Sequence, residues 1–358
     1  MKDDLAQELD ERLHPRHRAV LIGHGGTERR LLDAYRSGKL HHGWILNGPR
    51  GIGKATLAYR FTRFLLRYPD PAMVPAGVRE GCDVDPADPV FRRVAAQGHA
   101  DLITITRAYD TRNKRLKAEI GVDEARQASQ FLGRTAGEGG WRVVIVDAAD
   151  EMTASAANAL LKSLEEPPPR TVFLLVSHVS GRLLPTIRSR CIRLDLAPLA
   201  DEEVERVLDV VLEEGGKPSA EQRQLAIALA EGSPGRALQL LQGGGLKLFR
   251  DFSALLEQVP GLDYGRLFEF AERLRGAQAL DDYRLFTELM EQWLSRRIRD
   301  AARGVDDWAG RMPLNRLGQW SEVHQAIVHS IGRANALNLD RREVIVQAMR
   351  LIDATARP

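Results

Sequence analysis

Residues 43–61 read GWILNGPRGIGKATLAYRF. An apolar run through Trp44, Ile45 and Leu46 is followed by a glycine-rich turn, and then by an amphipathic stretch beginning at Lys54. Strand, glycine turn and helix, in that order, form the context in which the pattern G-x-x-x-x-G-K-[ST] has physical meaning. Gly48, Gly51 and Gly53 let the backbone curl so that several N–H groups point inward, at the positive end of the following helix. Lys54 adds a point charge suited to the β and γ phosphates of a nucleotide. The bland alternative is a glycine-rich turn carrying a surface lysine. Ala55 departs from the pattern, because a Ser or Thr there would give its oxygen to Mg²⁺. Thr56 has a hydroxyl, but one further helical residue turns it by about 100°. The loop therefore predicts nucleotide binding that is weak, with hydrolysis poor or absent.

A second segment, VVIVDAADEMTASAANALLKSLEEPP (143–168), ends an apolar strand in Asp147. A carboxylate at the carboxyl end of a central strand, beside the loop, is placed to hold the water around Mg²⁺. Taken alone, Asp147 is equally a solvated carboxylate at a strand end. The residue after it is Ala148, where an active site of this kind carries a Glu to orient the attacking water. Asp150 and Glu151 follow on the wrong turn to inherit that role. Both catalytic accessories are replaced by alanine while the binding scaffold is kept.

Further out, WILNG (44–48), DLITIT (101–106), WRVVIVD (141–147) and TVFLLVS (171–177) read as strands. KATLAYRFTRFLL (54–66), VDEARQASQFL (122–132) and ASAANALLKSLEE (154–166) read as the helices between them. Continuous Val, Ile and Leu in the strands imply burial on both faces, hence an α/β fold with a parallel sheet covered by helices. After residue 196 the strand signal stops. Residues 197–242 read as a small helical unit, the glycines 243–245 as a hinge, and 246–358 as helical throughout. YRLFTELMEQWLSRRIRDAAR (283–303) and LNRLGQWSEVHQAIVHSIGRAN (314–335) are its long helices, with Trp293 and Trp320 expected in packing roles.

At 358 residues the chain has room for two or three domains. Its net charge of +2 demands neither a nucleic-acid nor a membrane partner in bulk. Two cysteines, Cys82 and Cys191, are too few for a disulfide scaffold or a Cys-only zinc site. The first twenty residues lack the apolar core of a secretory signal, and no apolar run reaches the ~20 residues of a membrane span. The expected location is the cytoplasm.

ANALLKSLEEPP (157–168), followed by TVFLLVSHVSGRLLPTIRSRC (171–191) with its Ser-Arg-Cys signature, resembles bacterial clamp-loader subunits of the AAA+ class. It is most similar to their delta-prime family, in the form lacking a zinc module. The resemblance runs from LIGH (21–24) through GSPGRAL (232–238), and more loosely into the C-terminal helices. It implies a RecA-like AAA+ domain (1–196), a helical lid (197–242) and an all-α collar (246–358). It implies a non-hydrolysing member of a hetero-pentamer with motor and clamp-opening subunits, which places a sliding clamp on primed DNA for DNA polymerase III. Arg190 matches the arginine that completes the neighbouring motor subunit's ATP site, and Arg236 matches the lid's sensor arginine. Where some relatives carry four cysteines between the first helix and the second segment, this chain has only Cys82 and His99, so no zinc is expected. An active motor of the same class is disfavoured by Ala55 and Ala148. A stand-alone DNA-binding protein is disfavoured by the near-neutral charge and the lack of a DNA-binding motif.

Overall fold

The computed structural model describes residues 13–75, 78, 80–110, 115–212, 218–242, 244–276, 279–305, 308, 310–337 and 339–357. Its strands are β1 (Gly43–Asn47), β2 (Leu102–Ile105), β3 (Tyr109–Asp110), β4 (Arg115–Leu116), β5 (Arg142–Asp147), β6 (Thr171–Ser177) and β7 (Ile192–Asp195). Five of them form one sheet in the order β2-β5-β6-β1-β7, and every pairing in it is parallel. β6 is buried along its whole length and β5 at all but its last residue. The unbroken apolar runs are thus explained by a sheet with both faces covered.

The helices of this part are α1 (Gly25–Arg36), α2 (Lys54–Arg67), α3 (Pro89–Ala95), α4 (Val122–Leu132), α5 (Ala154–Glu165), α6 (Pro185–Arg188) and α7 (Asp201–Leu212). α4 and α5 place Ala128, Leu132, Ala157, Leu160 and Leu164 in a core with Ile45, Val144, Val146, Phe173 and Leu175 of the sheet. α2 packs on the same sheet and buries Leu57, Phe61, Phe64 and Leu65. This is the expected RecA-like arrangement.

The remaining helices are α8 (Ala220–Ala230), α9 (Pro234–Leu241), α10 (Gly245–Glu257), α11 (Tyr264–Arg273), α12 (Leu280–Ala302), α13 (Leu317–Leu337) and α14 (Arg341–Ala356). The chain divides into two compact units. The first holds residues up to 217 together with 230–237, and the second holds 218–229 together with 238–358. The stretch 197–242 is accordingly shared between the two. The second unit is all helical, with α12 packed on α10 and α13, and α14 on α11 and α13. Phe252, Phe270, Phe286, Trp293, Trp308 and Trp320 meet edge-on through its core. Trp293 and Trp320 are therefore packing residues, and Trp320 is wholly buried.

Three local features add to the expected pattern. LLPTIRSRC (183–191) contains the short helix α6, and Cys191 directly precedes β7; neither element is among those expected from the sequence. Pro185 at the first helical position, with Leu183 and Ile187 buried four residues apart, favours that turn of helix. Within the expected glycine hinge, Gly244 is exposed at φ +90°, with open space where a Cβ would sit. Gly245 is buried in the first turn of α10, where an added Cβ would lie 2.8 Å from Leu240 Cα; Gly243 lies outside the described residues. The antiparallel pair β3–β4, at two residues each, is too short to leave a periodic signal. Among the described residues no helix is long and apolar enough to cross a membrane.

Candidate nucleotide-phosphate site and the Arg190 turn

The loop 48–53 leaves β1 at the carboxyl end of the sheet and enters α2 at Lys54. Gly48 takes φ +151°, and a Cβ there would lie 2.4 Å from Leu196 O, so only glycine fits. Gly51 takes φ +76°, and its missing Cβ leaves room for Ser233, whose Oγ would be 2.5 Å away. The start of α9 is fastened to the loop at this point. Ser233 Oγ donates to Arg50 O at 2.8 Å, Gly235 N donates to Gly51 O at 2.9 Å, and Arg236 N donates to Ser233 Oγ at 3.2 Å. Arg236 and the loop, far apart in sequence, are thereby brought together. His24 braces the other side, its Nε2 sitting 2.6 Å from Ile52 O.

Gly53, at φ +105°, is the left-handed residue before α2. Lys54 is buried, and its Nζ donates to Gly48 O at 2.6 Å and also to Pro49 O. Burial pushes the Lys54 ammonium down to about 8, against the pull of Asp147 and Asp150. Ala55 and Thr56 are both half-buried in the first turn of α2.

Asp147 ends β5, separated from β1 by β6. It retains partial access to solvent, yet loss of hydration is the largest influence on its carboxyl. Together with Glu151 this pushes it up to about 6, while Lys54 and Arg50 draw it down. Ala148, after it, is buried. Asp150 accepts from His178 N at 2.9 Å and Val179 N at 3.0 Å, so it holds the chain leaving β6. Glu151 pairs with Arg107 Nε at 2.9 Å and approaches Arg50 Nη1 at 4.0 Å. Both carboxylates after Ala148 are thus committed to neighbours within the fold.

One site residue escaped the sequence reading. His178 directly follows β6, and burial, then Lys54, pushes its imidazole down to about 4. It is neutral at physiological pH, able to donate or accept a hydrogen bond beside the loop without adding charge. Its signal was positional: the first polar ring after a wholly apolar central strand.

Arg190 lies at the opposite end of the sheet. β7 runs parallel to β1 with Ile192 beside Trp44 and Asp195 beside Asn47. Arg190 therefore sits near the beginning of β1, whereas Lys54 lies beyond its end. At about 3.3 Å per residue the length of β1 separates them by roughly 15 Å. The turn is packed tightly, since a Cβ on Gly43 would be 2.8 Å from Cys191 Sγ and 3.2 Å from Arg190 O. Arg190 Nη1 donates to Thr186 O at 2.9 Å, and Nη2 pairs with Glu165 Oε1 at 2.7 Å. Cys191, half-buried, has its thiol pushed up to about 12 by loss of hydration, which suits packing rather than reactivity.

Cys82 and His99 have separate surroundings. The buried Cys82 lies by the Glu28–Arg60–Asp83 ion-pair network, and burial raises its thiol well above the usual range. His99 Nδ1 accepts from Asp101 N at 3.2 Å, and its Nε2 is 3.8 Å from Glu138 Oε1.

Residues 23–200 match the family described as "DNA polymerase III, delta subunit". The chain is 33% identical over 244 residues to DNA polymerase III subunit delta' of Escherichia coli, covering 66% of this chain and 65% of that protein. Its similarity to the Pseudomonas aeruginosa subunit delta' is 36% over 208 residues, with 58% and 57% covered. With the Yersinia pestis subunit delta' it shares 32% identity over 263 residues, 70% of this chain and 72% of that one. The chain thus spans somewhat under two thirds of the length of the first two relatives and more than two thirds of the third. The parallel-sheet architecture, the loop with its strand-end Asp147 and these similarities agree, and the chain belongs to the family of bacterial DNA polymerase III delta-prime subunits.

Proposed function

We propose that this protein is a non-hydrolysing ring subunit of a clamp loader, and that Arg190 completes the ATP site of the adjacent motor subunit. The observation that carries the reading is the position of Arg190, at the amino end of the sheet and about one strand length from its own Lys54. An arginine so placed can serve phosphates only on another molecule. A planar, permanently charged guanidinium suits oxygens on which negative charge shifts during phosphoryl transfer. The partners proposed are motor and clamp-opening subunits in a hetero-pentamer, with the sliding clamp and primed DNA reached through the complex. Residues 197–242 would act as the lid and 246–358 as the collar.

The chain's own loop fits a nucleotide's phosphates in part. Gly48, Gly51 and Gly53 shape the backbone, Lys54 supplies a dehydrated cation, and Asp147 faces it electrostatically from β5. Arg236 enters from the α9 start, and Thr56 carries the nearest helix hydroxyl in sequence. ATP with Mg²⁺ would bring the transferable phosphoryl group; Ala55 offers the metal no oxygen, and Ala148 offers water no base. Weak ATP binding without turnover is the expected behaviour. An active motor is the competing reading, favoured by the nearness of Lys54 and Asp147. Steady-state ATP turnover by the isolated chain separates the two. Background rates are expected; turnover near the ~10 s⁻¹ of ordinary enzymes, abolished by Lys54→Ala, would establish the motor instead.

A further inference from the structure

Arg190 is held by two groups of different character. Its Nη1 donates to Thr186 O at 2.9 Å, with Ser189 Oγ at 3.4 Å, and so closes the end of the one-turn helix α6. Its Nη2 meets Glu165 Oε1 at 2.7 Å. Glu165 is the last residue of α5, whose carbonyl end disfavours a negative charge, so the carboxylate gains from a cation beside it. The side chains are 35% exposed for Arg190 and 47% for Glu165, so the pair can be reached from solvent and by another subunit.

We propose that Glu165 is a positioning residue for Arg190: it holds the guanidinium at rest on its own subunit, and a neighbour's phosphates must displace it. The inference rests on the reading of Arg190 as an arginine acting in trans. The rigid, planar guanidinium can swing as a unit about its Nη1 contact with Thr186 O, so that bond can persist while Nη2 leaves Glu165. A carboxylate cannot remain against the face that a phosphoryl oxygen approaches, since two anions would then crowd one cation. Glu165 therefore competes with the neighbour's phosphates for Nη2. Partly exposed ion pairs are weak, so the restraint is expected to slow the neighbour by up to about fivefold rather than to abolish its activity.

The test is single-site ATP hydrolysis in the reconstituted loader, with the other motor sites silenced, for wild type, Glu165→Gln, Arg190→Ala and the double variant. Glu165→Gln should accelerate the adjoining site by up to about fivefold. The gain should shrink as salt is raised, because screening already weakens the pair in wild type. It should vanish in the Arg190→Ala background, which a merely structural role for Glu165 would not produce. Glu165→Asp, which keeps the charge at shorter reach, should fall between wild type and Glu165→Gln. Unchanged or slower hydrolysis with Glu165→Gln, or acceleration that persists without Arg190, overturns the proposal. If Arg190→Ala itself leaves the site unaffected, the reading of Arg190 in trans fails first, and the two failures are told apart.

Discussion

Lys54 at the end of the loop and Asp147 at the end of β5 attract one another, and loss of hydration disfavours the charged form of each. Asp147, raised to about 6 from 3.8, keeps a proton in the folded chain where the unfolded chain has lost it. Stability from this group therefore falls as pH rises from about 4 to 6, and the deficit is complete above that window. Lys54, lowered to about 8 from 10.5, works in the other direction at high pH: the unfolded chain holds its proton longer, so stability rises from about pH 8 to 10.5. Near neutrality both charged forms are destabilised by burial. Asp147→Asn should accordingly raise stability at pH 7 by on the order of 2 kcal/mol. The gain should fade toward pH 4. Urea denaturation of wild type and variant across that range checks it, and a variant less stable at pH 7 would remove the premise of a carboxylate destabilised by loss of hydration.

The elements were legible where one physical signal dominated. Unbroken Val, Ile and Leu marked β5 and β6 because they are buried on both faces, and the helices after the loop and after Gly121 began where their periodicity did. β7 was missed because its residues alternate Ile192, Arg193, Leu194 and Asp195 with only Leu194 buried, as befits an edge strand. The fastening of α9 onto the loop was invisible for a different reason. It depends on Ser233 and Gly235 meeting Arg50 and Gly51 across almost two hundred residues, which no local pattern encodes. His178 and Lys54, likewise far apart in sequence, are brought together only by the folded sheet. Ser233 both caps α9 and holds the loop, so Ser233→Ala should lower stability by about 1 kcal/mol. It should also speed amide exchange at Arg50 to Gly53, read by hydrogen-exchange mass spectrometry. Exchange unchanged at those amides would mean that the loop keeps its shape without α9.

At the scale of the whole molecule, the chain passes between its two units more than once. Residues 218–229 belong to the helical unit, 230–237 to the sheet unit, and 238 onward to the helical unit again. Ala226 and Leu240 are buried in the helical core, so a chain ended near residue 245 would leave both without cover. Such a truncation should be less stable and more readily cut by protease within 218–242, rather than behave as a cleanly folded sheet unit. Resistance equal to that of the full chain in that stretch would contradict the division. The functional reading depends on the opposite ends of one sheet: the glycine loop proposed for phosphates at the carboxyl end and Arg190 at the amino end. Its most direct test is Arg190→Ala in a reconstituted loader in which only the motor site adjoining this subunit can hydrolyse ATP. Arginines acting in trans contribute on the order of 10³-fold or more in small GTPases, so hydrolysis at that site should fall steeply while the complex assembles at the same size. Undiminished hydrolysis at that site, in a complex of normal size, would contradict the assignment and leave Arg190 a residue that closes α6 and pairs with Glu165.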